Sequence, residues 1–213
     1  IILCLGVESK IYSKFLNERN ITKDYNQMGV TVLVKHDCKI KNASQYFLKE
    51  GPLAILPFSK KMFSIVWSLD KKFYKQNLKN IESLVNFKLK KIFGIKKKFE
   101  TLDLQSYPLK LKLKTEYFKN NVLIFGQGIH SIHPMAGQGF NLVIRDIMKL
   151  HDLIEKNLLL GLPIKNSNIL KDFKSSRGAE NILMGIGVDF TSIFFKQYKY
   201  LEPIKNEILK KID

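Results

Sequence analysis

Hydrophobic and polar positions alternate with period two through the middle of the chain and shift to a period near 3.6 toward its end. "GVTVLVKH", residues 29–36, carries β-branched residues on alternate positions and reads as a strand. "SQYFLKEGPLAILPFSKKMFSIVWSL", residues 44–69, reads as three strands with turns at Glu50-Gly51-Pro52 and Ser59-Lys60-Lys61. Connections that short require antiparallel neighbours. "TLDLQSY" and "LKLKLK" return to strand, and Leu109, Leu111 and Leu113 alternate with lysines, giving one buried and one wet face. "NVLIFG", residues 121–126, is a short continuous apolar run, the pattern of a parallel strand covered on both sides. "IILCLG", residues 1–6, reads as a short buried strand, and a helix is expected from about Ser9 to Leu16.

Helical spacing governs three further regions. Asp70 is placed to cap a segment in which Leu78, Ile81, Leu84, Val85 and Phe93 recur, with Gly94 as its stop. After Gly139 a helix is expected to carry Phe140, Val143, Ile144, Ile147, Leu150 and Ile154 on one face. From Asn168 onward the pattern is helical, with breaks expected near Gly185 and Gly187 and again at Pro203. The organisation is a short α/β beginning, an antiparallel sheet, a strand–loop–helix unit and a helical tail, without internal repeats.

Composition changes this picture in one respect. The formal net charge is +17, and it comes almost wholly from lysine, since Arg19, Arg145 and Arg177 are the only arginines. The lysines are spread along the whole chain, as expected of solvated faces. A basic membrane-facing surface is the second reading. A nucleic-acid binder would need aromatic and basic residues interleaved on one surface. "FYKQNLKN" and "FFKQYKYL" offer some, but helical spacing accounts for most of those aromatics as core, so no nucleic-acid partner is expected. Cys4 and Cys38 form no CxxC pair, so neither a zinc site nor a disulfide framework is expected, and a reducing cytoplasmic setting fits. No apolar run approaches the roughly 20 residues that span a bilayer, and no signal peptide is expected. The abrupt apolar start reads as entry into the middle of a fold.

The candidate chemistry lies in "VLIFGQGIHSIHPMAGQGFNLVIRD", a strand, a glycine-rich loop and a helix. A helix N-terminus offers unpaired N–H groups and partial positive charge. Glycines before it let a ligand approach the backbone, and Pro134 stiffens the approach. The arrangement suits a planar electron acceptor that becomes negative on reduction, with Gln138 and Asn141 adding hydrogen bonds. A plain tight turn at Gly137 and Gly139 explains the spacing equally well. His130 and His133 have metal-ligand spacing, but no carboxylate or Cys lies near in sequence, so no metal is expected.

"GQGIHSIHPMAGQGFNLVIRD", residues 126–146, resembles the second flavin-binding motif of the ubiquinone-biosynthesis FAD-dependent monooxygenases, relatives of para-hydroxybenzoate hydroxylase. "YFLKEGPLAILPF" with "SIVWSL" is similar to the substrate-domain strands of that family. "SYPLKLKLKTEYFKNNVLIFG" resembles the approach to the motif, and "RGAENILMGIGVDFTSIFF" the C-terminal helices. The resemblance implies an α/β fold: part of an FAD/NAD(P)-binding domain of the para-hydroxybenzoate hydroxylase type, with an antiparallel substrate sheet and C-terminal helices. The implied divisions are 1–27 (a remnant of the FAD-binding domain), 28–118 (substrate sheet), 119–165 (second flavin motif) and 166–213 (helices). It implies FAD as cofactor and NAD(P)H as electron donor. Gly126 and Gln127 would contact the ribityl–pyrophosphate part, with Gly128 and His130 in the same loop. Pro134, Ala136, Gly137, Gln138, Gly139, Phe140 and Asn141 would lie against the isoalloxazine ring. Reduced flavin would activate dioxygen to hydroxylate an aromatic, polyprenylated quinone precursor. No catalytic acid or base is assigned. The expected location is cytoplasmic, peripheral at the inner face of the membrane.

Three departures stand out. No G-x-G-x-x-G fingerprint occurs anywhere in the chain. In "LCLGVESKIYSKF", Gly6 and Ser9 match the family's Gly-Ala-Asp-Gly-x-x-Ser stretch, but Leu5 replaces Asp and Tyr12 replaces the usual Arg. Gln127 replaces Asn or Asp. These lead to the expectation of a C-terminal portion of such an enzyme, truncated at its N-terminus. The alternative is a non-catalytic remnant that keeps the substrate sheet without competent FAD binding.

Overall fold

The computed structural model describes residues 1–16, 20–134, 137–165 and 167–197. In chain order the elements are β1 (Ile2–Leu3), α1 (Ile11–Phe15), β2 (Asn20–His36), β3 (Ser44–Leu48), β4 (Gly51–Ser59), β5 (Met62–Asp70), α2 (Lys71–Gln76), α3 (Ile81–Phe93), β6 (Phe99–Lys114), β7 (Phe118–Lys119), β8 (Val122–Ile124), β9 (His130–Ser131), α4 (Gln138–Leu159) and α5 (Ser167–Gln197). The chain divides into two units, one made of residues 1–23 and 110–213, the other of residues 24–109. The α/β class expected from the chain is the one observed.

Residues 24–109 hold an antiparallel sheet in which the strands lie in the order β3-β4-β5-β2-β6. The three-strand reading of residues 44–69 holds; the second turn falls at Lys60–Lys61 as expected, whereas the first falls at Lys49–Glu50, with Gly51 and Pro52 already in β4 and paired with Leu48 and Phe47. Val30, Val32 and Val34 of β2 point to one face and are fully buried with Phe63, Ile65 and Trp67 of β5 and Leu53 and Ile55 of β4. Helix α3 covers that face through Ile81, Val85 and Leu89, four residues apart and so on one side of the helix. Asp70 caps α2, its Oδ1 accepting from the N–H of Lys72 (2.8 Å) and of Phe73 (3.3 Å), which stabilises the helix start by about 1 kcal/mol. Gly94 ends α3 at φ +107°. Gly51 opens β4 at φ +136°, where a Cβ would lie 1.8 Å from the Ser68 carbonyl oxygen, so no other residue fits there.

In the other unit, β8 pairs in parallel with β1 and antiparallel with β7. Leu123 and Ile124 of β8 are buried, as a covered parallel strand requires. Strand β1 differs from its expectation. Only Ile2–Leu3 are in strand, and Ile1 and Ile2 are exposed, because β1 is the edge of this three-stranded sheet. Tyr12, Leu16, Tyr117, Leu123, Ile124, Phe125, Ile129, Leu150, Ile169 and Phe173 form the core.

Helix α5 is a further correction. It runs unbroken from Ser167 to Gln197, through Gly185 and Gly187, where breaks were expected. Gly185 is buried, and a Cβ on it would sit 2.8 Å from Leu113 Cδ1 at the end of β6. That glycine permits close approach of a helix to a strand rather than ending the helix. The expected break at Pro203 lies outside the described residues. Among the described residues, no helix is long and apolar enough to cross a membrane.

Candidate cofactor-binding site

The glycine-rich loop leaves β8 and forms a 3-10 turn over Gly126–Gly128, then β9, and reaches α4. Gly126 adopts φ +62°, a conformation that favours glycine. Gly128 is glycine for another reason. A Cβ there would lie 2.3 Å from the Tyr12 hydroxyl and 2.7 Å from Ile124 Cγ2. Between these two buried glycines Gln127 is exposed.

Gly137 caps α4 in the left-handed conformation at φ +63°, with its N–H bonded to the Pro134 carbonyl at 3.1 Å. The cap residue of α4, being glycine, has no side chain with which to accept from the leading N–H groups. A Cβ on Gly137 would meet nothing within 4 Å, and one on Gly139 would meet only Ile132 at 3.9 Å. Phe140 and Asn141 are exposed, and Asn141 Nδ2 donates to Gln138 Oε1 at 3.4 Å. Among the described residues, open space therefore adjoins Gly137 and Gly139 at the partially positive start of α4, which leaves room for a ligand to approach the helix end. Met135 and Ala136 lie outside the described residues.

Helix α4 buries only part of the face expected: Leu150 is buried and Ile154 packs against the core, but the face is rotated at the start of the helix. Phe140, Ile144 and Ile147 are exposed, and Leu142, Asp146 and Leu150 are buried. A pattern read from apolar positions excludes Asp146, yet this residue sits at the centre of the buried stripe. The reason is its partners. Asp146 Oδ1 accepts from Arg177 Nε at 2.7 Å and from Asn181 Nδ2 at 3.5 Å, and Oδ2 lies 2.7 Å from His130 Nε2. Arg177 also donates to Asn181 Oδ1 at 3.0 Å and to Glu180. Asn181 reaches the Tyr117 hydroxyl at 3.3 Å. Burial pushes the Tyr117 phenol above its ordinary pKa, so it stays protonated. Asp146, Arg177 and Asn181 were not singled out from the sequence for any role, and Asp146 supplies the carboxylate beside His130 that sequence proximity did not show. His130 and His133 are both buried.

Near the chain start, the Tyr12 hydroxyl donates to the Leu5 carbonyl at 2.6 Å and accepts from the Leu5 N–H at 2.8 Å. Burial raises its pKa, which keeps the donating proton in place. Tyr12 thus ties the Leu5 backbone down and abuts Gly128. Gly6, by contrast, faces open space.

The FAD binding domain family matches residues 4–158. This chain belongs to that family. It is 26% identical over 235 residues to the ubiquinone biosynthesis monooxygenase COQ6 of Dictyostelium discoideum, covering 88% of this chain and 48% of that protein. To the ubiquinone hydroxylase UbiL of Rhodospirillum rubrum it is 27% identical, covering 76% and 39%. To the 3-demethoxyubiquinol 3-hydroxylase of Escherichia coli it is 30% identical, covering 68% and 37%. The chain spans less than half the length of each of these relatives.

Among solved structures, p-nitrophenol 4-monooxygenase PnpA from Pseudomonas putida superposes with a TM-score of 0.75 over 98% of this chain and 53% of that one, at 13% identity. Aklavinone-11 hydroxylase, solved with FAD and aklavinone, gives 0.72 over 95% and 38%, at 12% identity. The flavin-dependent brominase Bmp2 gives 0.73 over 98% and 56%, also at 12%. The fold of this FAD binding domain chain is therefore the one shared by flavin-dependent aromatic monooxygenases and halogenases, and the fold alone does not choose between those reactions.

Proposed function

We propose that this chain serves FAD-dependent hydroxylation of an aromatic ubiquinone precursor, with NAD(P)H as the electron donor. The observation that supports the reading is the open space beside Gly137 and Gly139 at the glycine-capped start of α4. The names of the similar proteins, all of ubiquinone biosynthesis, favour the quinone-precursor substrate over halogenation. Pro134, Gly137, Gln138, Gly139, Phe140 and Asn141 would hold the ring, together with Ala136. Gly126, Gln127 and Gly128, in the turn that also leads to His130, would meet the ribityl end. FAD, when bound, supplies the reduction and dioxygen chemistry. The chain's own part is to present N–H donors where negative charge develops and to fix the loop against β9 and α4 through His130 and Asp146. The sheet of residues 24–109 would bind the substrate. A polyprenyl tail on that substrate would bring the protein to a membrane surface.

A second reading, a non-catalytic remnant, is favoured by specific observations. Leu5 and Tyr12 stand where an Asp and an Arg are expected, and Tyr12 spends its hydroxyl on the Leu5 backbone. One experiment separates the two. The purified chain is given FAD, NAD(P)H, labelled dioxygen and a prenylated phenol, and the product is examined by mass spectrometry. Incorporation of one labelled oxygen, lost in Gly137→Val, supports the hydroxylase. No incorporation, together with no change in flavin fluorescence on titration, supports the remnant.

A further inference from the structure

The turn between α4 and α5 carries a feature the flavin reading does not use. Leu158, Leu159, Leu160, Leu162 and Ile164 stand in one stretch of seven residues, and each is between 41 and 82% exposed. Scattered apolar residues on a surface are ordinary, but five large exposed ones at the end of one helix and in the turn that follows are not. The turn's own backbone is closed. The N–H of Leu160 bonds to the Lys156 carbonyl at 3.2 Å, that of Gly161 to Leu158 at 2.9 Å, and that of Leu162 to Asn157 at 2.9 Å. Pro163 has no N–H to satisfy. Gly161, at φ +68°, allows this closure. From Leu160 to Pro163, then, no donor has to be stripped of water unpaired when the turn enters an apolar medium.

Along the chain, the stretch between the exposed Glu155 and Asp172 carries only positive charges. Lys156 and Lys165 flank the turn, Lys171 follows, and all three are exposed. No Asp or Glu occurs between Glu155 and Asp172. Ile164 also lines an apolar hollow of about 160 Å³ with Leu150, Ile154, Ile169 and Leu170, so the apolar surface continues behind the turn. An apolar stretch flanked along the chain by exposed lysines matches the two layers of an anionic bilayer surface: acyl chains beneath, phosphates above. A protein surface would have to supply both an apolar socket and a surrounding acidic rim.

We propose that the turn Leu158–Ile164 inserts into the interface of an anionic lipid bilayer, with Lys156, Lys165 and Lys171 at the headgroup level. The proposal stands apart from the flavin reading, and its test contains no flavin. The full chain has one tryptophan, Trp67, which is fully buried and serves as a constant background. Leu160→Trp is mixed with vesicles of phosphatidylcholine containing phosphatidylglycerol and with vesicles of phosphatidylcholine alone. The expected result is a blue shift of the emission with the anionic vesicles, and at least about a tenfold fall in vesicle partition when Leu159→Glu and Leu160→Glu are combined in the chain that otherwise keeps its native sequence. Because both leucines are exposed, the circular dichroism and melting of the double variant should match the parent. Three results overturn the proposal. The first is co-sedimentation with no emission shift, which means lysines elsewhere attract the membrane. The second is no binding to anionic vesicles. The third is a lipid-free oligomer that the double glutamate variant dissociates, which means the turn covers a protein surface.

Discussion

A carboxylate with no exposed surface is costly unless it is paired, and Asp146 is paired with Arg177, Asn181 and His130 at once. Asp146→Asn keeps the volume but removes the charge, and it leaves the Arg177 guanidinium buried against a neutral amide. Breaking one side of a buried pair typically costs about 3–5 kcal/mol. Urea denaturation of Asp146→Asn should show a loss of that order. The double change Asp146→Leu with Arg177→Met, which removes both charges, should recover most of it; an equal or larger loss would mean that the pair is not the source of the cost. The sequence showed the loop residues of this region but not this network. Gly137, Gln138, Gly139 and Asn141 are neighbours in the chain, so their spacing is visible. Arg177 and Asn181 lie 31 and 35 residues from Asp146, and only folding brings them to it. A charged residue in an otherwise apolar helical stripe, with one of only three arginines downstream, is the signal that could have been used.

Elements were legible where a local rule decides them. The alternation in residues 29–36, the two tight turns in 44–69 and the Asp70 cap each depend on a few neighbouring residues, and each is observed, with the first turn at Lys49–Glu50. Where packing decides, local reading failed. Phe140, Ile144 and Ile147 form a plausible apolar face, yet tertiary pairing of Asp146 turns another face inward. Gly185 and Gly187 look alike in sequence, but a Cβ on Gly185 meets Leu113 and Leu111, and one on Gly187 meets nothing within 4 Å. Their substitutions should therefore move stability in opposite directions. Gly187→Ala relieves the backbone-entropy cost of glycine within a helix and should stabilise by about 0.5–1 kcal/mol. Gly185→Val forces a branched side chain into a packed contact and should destabilise by about 1–3 kcal/mol. Thermal melts of the two variants check both signs. If both stabilised, α5 would not need its close approach to the end of β6.

On the scale of the whole molecule, the sheet unit is one continuous stretch, and the unit bearing the loop–helix site is assembled from two stretches on either side of it. That asymmetry has consequences for folding. Residues 24–109 contain both partners of every strand pair among β3, β4 and β5, the whole of α3, and a core in which Val30, Phe63, Ile65, Trp67, Val85 and Leu89 are fully buried by one another. A sheet of several strands packed under a helix meets the requirement for independent stability. The segment should fold alone and unfold in urea as one cooperative transition, detected together by circular dichroism and by Trp67 fluorescence. Residues 110–213 alone should not. β8 would lose β1, its parallel partner, and the core of Tyr117, Leu123, Phe125 and Phe173 would lose Tyr12 and Leu16. Removing Tyr12 also leaves a void at Gly128, inside the loop that leads to α4. Adding residues 1–23 as a separate peptide should restore structure to 110–213, read as a gain in helical circular dichroism. A cooperative transition for 110–213 without that peptide would show that the first stretch is not needed to hold the site.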